Sequence, residues 1–303
     1  SMKSKFLIAF LPVLALPVFS HAQQAGEPLF TPDDAVQLAQ AGTNELRTLS
    51  TPRQPPAQPV TQPVSLPTRA SLDAYTSAHH LTGGFGDWRE AGVRGSYETG
   101  AHRWQAEFAT MRRFRETGQF VAIGDTITFD NDWFGSLSLG AGDGAFYLPR
   151  YRIDSFINRK FLPGRNLIGT LGAGYYRAPD GHTDVSKSVG ATYYFDQQPL
   201  VVQGEIRFND SSPGNIRTHQ QFVAATWGSE KQTQVTGRLA WGSEGYQTIT
   251  SAASLINFRS NEASVKVRHW IGPLWGVEAR VERYRNPFYV RTGANVGLFW
   301  QFQ

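Results

Sequence analysis

Residues 290–302, Val-Arg-Thr-Gly-Ala-Asn-Val-Gly-Leu-Phe-Trp-Gln-Phe, decide how the whole chain is read. Val290, Thr292, Ala294, Val296, Leu298, Trp300 and Phe302 alternate with Arg291, Gly293, Asn295, Gly297 and Gln301. A repeat of two sends successive side chains to opposite faces of a strand, here one apolar and one polar. Asn295, Gly297, Trp300 and Phe302 also form a terminal pattern of the kind that outer-membrane assembly machinery recognises. Gln303 follows the last aromatic, which in such signals is usually the final residue.

The same alternation recurs upstream. Val277, Ala279 and Val281 interleave with Glu278, Arg280 and Glu282, and Val202, Gly204, Ile206 and Phe208 with Gln203, Glu205 and Arg207. Val235, Gly237, Leu239 and Trp241 repeat the pattern. Fourteen strands are expected, with twelve to sixteen as the range. They lie near 71–82, 87–98, 102–115, 118–129, 132–142, 150–161, 165–178, 182–196, 198–209, 215–228, 231–243, 255–270, 272–284 and 288–302.

Alternation alone fits a soluble sandwich as well as a barrel. Connection lengths separate them. Links after even strands are short, whereas 143–149, 178–184, 210–214 and 243–254 read as longer polar loops. That asymmetry belongs to an all-β, antiparallel, up-and-down transmembrane barrel. Tryptophans point the same way, since indoles favour the membrane interface. Trp104, Trp133, Trp227, Trp275 and Trp300 fall at the strand ends nearer the termini, and Trp88 and Trp241 at the opposite ends. Trp270 shares the first level but has the wrong parity for a lipid face. Strands of roughly 10–12 residues tilted near 40° rise about 25–30 Å, enough for the hydrocarbon layer.

Composition agrees. The chain has 303 residues, 39 aromatics (20 Phe, 11 Tyr, 8 Trp), 30 glycines and no cysteine. Its mean hydropathy is -0.35 with 18% charged residues, which excludes a polytopic helical membrane protein. Without cysteine there is no disulfide or thiolate chemistry. A net charge of +4 with scattered basic residues argues against a nucleic-acid partner. Ahead of the barrel segment 71–303, residues 1–22 read as a secretory signal, with Lys3 and Lys5, an apolar run from Phe6 to Phe19, and Ser20-His21-Ala22. Residues 23–70 read as a periplasmic segment. It holds one marginal helix begun by Thr31-Pro32-Asp33-Asp34, then a semi-rigid stretch with six prolines over 50–69.

Opposite the apolar face, the expected lumen carries Glu90, Arg94, Glu107, Arg113, Asp125, Asp154, Lys160, Glu205, Arg207, Arg238, Lys266, Arg268, Glu278, Arg280 and Glu282. Interleaved signs suit either a polar channel that selects a solute such as a saccharide or a lumen closed by cross-strand ion pairs. Both readings stay open. A lipid-modifying enzyme would need Ser and His together on the lipid-facing wall. His79 and His80, near Ser77, are neighbours and so point to opposite faces, and no catalytic residue is assigned. Asp130-Asn131-Asp132, Asp143-Gly144 and Asp180-Gly181 read as tight turns rather than Ca²⁺ sites. No metal or cofactor is expected.

Asp87-Trp88-Arg89-Glu90, Leu148-Pro149-Arg150-Tyr151 and Gly242-Ser243-Glu244-Gly245-Tyr246, with the terminal aromatic strand, resemble the YaiO family of outer-membrane β-barrel proteins over roughly 72–303. The resemblance implies an outer-membrane location, contact with membrane lipid and lipopolysaccharide, and assembly by the barrel machinery. It also implies, for some relatives, association with cell-surface polysaccharide systems, and it brings no catalytic residues. The expected role is a non-enzymatic conduit or accessory for saccharide passage. The alternative is a closed barrel whose residues 23–70 recruit a periplasmic export partner. Helical repeats precede the barrel in some relatives; here only residues 31–49 offer a helix, without a repeat period.

Overall fold

A computed structural model of the chain describes residues 69–302. The expected signal segment, the helix near 31–49 and the proline-rich stretch lie outside the described residues. Fourteen strands follow one another: β1 (Arg69–Leu81), β2 (Gly86–Thr99), β3 (His102–Arg113), β4 (Glu116–Thr128), β5 (Trp133–Asp143), β6 (Tyr151–Phe161) and β7 (Leu167–Arg177) form the first half. The second half is β8 (Thr183–Tyr194), β9 (Leu200–Ser212), β10 (Ile216–Gly228), β11 (Thr233–Thr250), β12 (Ala253–Trp270), β13 (Trp275–Arg285) and β14 (Val290–Phe302). Each pairs antiparallel with its neighbours in sequence, and β1 closes on β14. Leu72 stands opposite Trp300 and Ser77 opposite Asn295, so the terminal signal is also the closing seam. Closure leaves no strand edge unpaired, which is what lets a sheet cross lipid.

Burial alternates along the strands. On β3, Arg103, Gln105, Glu107, Ala109 and Met111 are buried while Trp104 and Phe108 are exposed. Apolar residues such as Val93, Ile123, Leu137, Val189, Leu239, Val281 and Val296 cover the outside. The polar residues face in. This is a membrane barrel's polarity, the reverse of a soluble core.

Two rims result. The rim with the chain ends, the terminal rim, carries the links 100–101, 129–132, 162–166, 195–199, 229–232 and 271–274, which run to five residues and are no shorter as a set than those opposite, so the expected contrast in link length is corrected. The far rim carries 82–85, 114–115, 144–150, 178–182, 213–215, 251–252 and 286–289. Of the long far-rim loops expected from sequence, 210–214 and 243–254 are mostly strand. Glu244 pairs with Phe258 and Tyr246 with Ile256, so β11 and β12 continue as a hairpin of two 18-residue strands. Glycine, serine and glutamate suggested a loop, but the ladder and a bond from Tyr284 Oη to Glu244 Oε1 (2.7 Å) hold the segment extended. The turn readings stand. Asp130 Oδ1 accepts the amides of Asp132 (2.7 Å) and Trp133 (2.8 Å), and these bonds hold its carboxyl below the usual range. Asp143 and Asp180 cap their own turns in the same way.

The charged lumen as candidate functional site

Strand pleat decides which side chains meet inside. Glu90, Arg94, Glu107, Arg113, Asp154, Lys160, Glu205, Arg207, Lys266, Arg268, Arg280 and Glu282 are buried on the inward face, with Arg238 and Glu278 half-buried beside them. Asp125 is a correction. It shares a face with the exposed Val121 and Ile123, so it points outward near the terminal rim, 2.7 Å from His102 Nδ1. Trp88 is another. It sits two residues from the inward Glu90 and therefore shares its face; it is buried in the lumen rather than set in a girdle. Trp104, Trp133, Trp227, Trp241 and Trp275 are exposed on the outside, and Trp300 is half-buried there. Trp270 faces in, as its parity required.

An arc of alternating charge crosses β11 to β14 and β1 to β3. Nearest the terminal rim, Arg268 donates from Nη1 to Glu278 Oε2 (3.1 Å) and Asp73 Oδ1 (3.3 Å). Its guanidinium also lies 3.5 Å from the centroid of the Phe299 ring. Midway, Glu262 gathers Arg238 (3.1 Å) and Arg280 (3.0 Å) on one oxygen and Arg291 (3.4 Å) on the other. Glu282 takes Arg291 (3.2 Å), Arg280 (3.3 Å) and His79 (3.2 Å). Further round, Tyr75 donates to Glu107 (2.5 Å), Arg94 lies 3.4 Å from the same oxygen, and Arg113 reaches Glu90 (3.3 Å). At Gly293 the wall approaches so closely that an added Cβ would collide with the His79 ring.

The remaining arc is milder. Thr170 donates to Asn158 (2.7 Å), and Ser186, Ser188, Thr192, Thr218 and Thr226 face in beside the pairs Arg152–Asp154 (2.7 Å) and Arg207–Glu205 (3.4 Å).

Above the charges, aromatic rings cap the far mouth of the first arc. Leu81, Trp88, Tyr284 and Tyr289 form one buried cluster; Met111, Phe120, Tyr147 and Leu148 belong to another, and Phe114 packs against both. Arg113 lies 4.6 Å and Arg291 5.0 Å from the Trp88 ring, a cation–π arrangement in a desolvated place. The 144–150 connection contributes by folding inward. Leu148 is fully buried, and Tyr147 donates to Met111 O (2.8 Å). Burial pushes the Tyr147 and Tyr289 phenols up to about 12, so both stay neutral; Tyr147 donates, whereas Tyr289 Oη accepts from Gln247 Nε2.

Sequence reasoning missed Asp73, Arg103, Arg152, Asp184, Glu262 and Arg291, all buried inside. Parity was the available signal: Arg103 aligns with Glu107, Glu262 with Lys266, and Arg291 with Asn295. The side chains considered for hydrolysis are divided between faces. Ser77 and His79 are buried in the lumen, whereas His80 is exposed outside, 2.8 Å from Asp87.

A family model described as the YaiO membrane beta barrel domain matches residues 69–247. No curated protein matches by sequence. Among solved structures, the CymD monoaromatic hydrocarbon channel aligns with a TM-score of 0.57 at 8% identity, covering 98% of each chain. A bacterial polysaccharide outer membrane secretin aligns at 0.49 and 9% identity, over 77% of this chain and 98% of its own. An outer membrane protein of Acinetobacter baumannii gives 0.48 and 10%, over 77% and 99%. At such identities the likeness concerns the fold alone.

Proposed function

Because the chain belongs to the YaiO membrane β-barrel family and resides in the outer membrane, we propose that it is a non-enzymatic accessory of cell-surface saccharide passage whose lumen rests closed. The observation that carries this reading is the burial of the lumen's longest cations. Arg268 and Arg291 are each 1% exposed and Arg103 2%, which a wide water-filled bore would not allow. Among the described residues, inward strand side chains are buried or half-buried from β2 to β14, apart from those at far-rim strand ends such as Glu116. The saccharide assignment rests on the family resemblance and on the hydroxyl and amide side chains of β6 to β10, which suit a hydroxyl-rich solute. A narrow conduit is the second reading. It is favoured by Gln220, Phe222 and Arg238, which are only half-buried along β10 and β11.

Planar-bilayer recording separates them. The full chain, inserted and shown to be folded by its heat-modifiable migration, is expected to be electrically silent. A steady ohmic conductance that added oligosaccharide blocks would replace the closed reading with the conduit.

A further inference from the structure

Beside the seam, the outward face of the far rim is predominantly basic, with Asp87 its acidic member. Arg89 on β2 stands directly opposite Arg112 on β3, and both are exposed on the outer surface. On the other side of the seam, Arg283 and Arg285 are exposed outward at the end of β13, and Arg285 pairs in register with Asn261, two residues from the exposed Arg259 of β12. His80 bridges the two groups: it is opposite Thr292, which is opposite Arg283, and its other neighbour is Asp87. Asp87 is engaged by His80 at 2.8 Å. Among the described residues, none of the five arginines has a carboxylate within salt-bridge reach. Further down the same face lie Val93, Phe108 and Val281, exposed members of the apolar belt, with Ala91 and Thr110 between the first two and the arginines.

Placing two guanidiniums opposite each other on a sheet is destabilising unless an anion lies between them. The terminal rim handles its outward arginine differently, since Arg159 lies 5.2 Å from the Trp133 ring and 5.1 Å from that of Phe161. Among the described residues, the five far-rim arginines have no such aromatic cover. They sit where the apolar belt ends, at headgroup depth, where a planar fork can take a phosphate through two hydrogen bonds. The far rim also bears the longest connection, 144–150, and the extended β11–β12 hairpin, features of a barrel's outer end. We propose that Arg89, Arg112, Arg259, Arg283 and Arg285 form a docking surface for the phosphorylated glucosamine headgroup of lipopolysaccharide in the outer leaflet.

The test uses the full chain, folded in detergent and titrated with diphosphoryl lipid A, monophosphoryl lipid A or phosphatidylglycerol, with bound lipid counted by native mass spectrometry. Diphosphoryl lipid A is expected to bind most tightly. Arg89→Gln with Arg112→Gln should weaken it about tenfold, and adding Arg283→Gln with Arg285→Gln about tenfold again. The Arg→Lys counterparts keep the charge, lose the fork, and should fall between. Heat-modifiable migration verifies folding of every variant, and the lysine series retains the test if a glutamine variant fails to fold. Unchanged lipid A binding in the folded variants would overturn the proposal. Equal binding of phosphatidylglycerol would overturn the glycolipid assignment.

Discussion

Arg268 shows at the residue scale how the lumen is held. Its guanidinium serves Asp73 and Glu278 while lying against Phe299, all behind a wall that leaves it 1% exposed. Such an arrangement adds little net stability over an apolar filling, because desolvation offsets attraction, but breaking it strands charge. Arg268→Ala is therefore expected to lower stability by about 3–5 kcal/mol in urea unfolding of the lipid-inserted barrel. Adding Asp73→Asn and Glu278→Gln to it should recover most of the loss; an additive further loss would show that the charges are not coupled. Most charged residues of this network were legible from strand parity. Trp88 was misplaced when strand-end position outweighed parity, and Asp125 when its charge did: each shares a face with a neighbour two residues away whose side was clear, Glu90 and Ile123 respectively.

At the scale of elements, the β3–β4 hairpin turns through only Phe114 and Arg115, both with positive φ (50° and 71°). Two-residue hairpins need this backbone to match strand twist, and residues other than glycine adopt it at a cost. Phe114 repays it by packing against both aromatic clusters, whereas Arg115 is exposed. Arg115→Gly is thus expected to stabilise the barrel by about 1 kcal/mol, while Phe114→Gly destabilises it; unfolding midpoints of the two variants check the contrast. The β11–β12 hairpin marks where local reading stopped. Its tip resembles a loop in composition, and only pairing between Ser243–Thr248 and Ser254–Arg259 makes it strand.

For the whole molecule, the three sequence stretches that carry the family resemblance converge on the far end of the lumen. They supply Trp88 and Glu90, Leu148, and Glu244, which meet the cap or its partners from separate strands and the 144–150 connection. If that cap and the ion-pair arc keep the barrel silent, Tyr147→Ala with Leu148→Ala should produce intermittent conductance in bilayers where the parent shows none. Continued silence from the folded double variant would place closure in the ion pairs alone. The sequence by itself determined a fourteen-stranded outer-membrane barrel, its two faces and most of its inward charges, because strand pleat ties side-chain direction to a repeat of two. Only the tertiary structure decided that the lumen's longest cations are buried, that Trp88 joins the aromatic cluster at the far mouth, and that arginines without salt-bridge partners gather on the outward face of the far rim. Those outcomes depend on which residues the register sets side by side around a closed sheet, and such neighbours are distant in sequence.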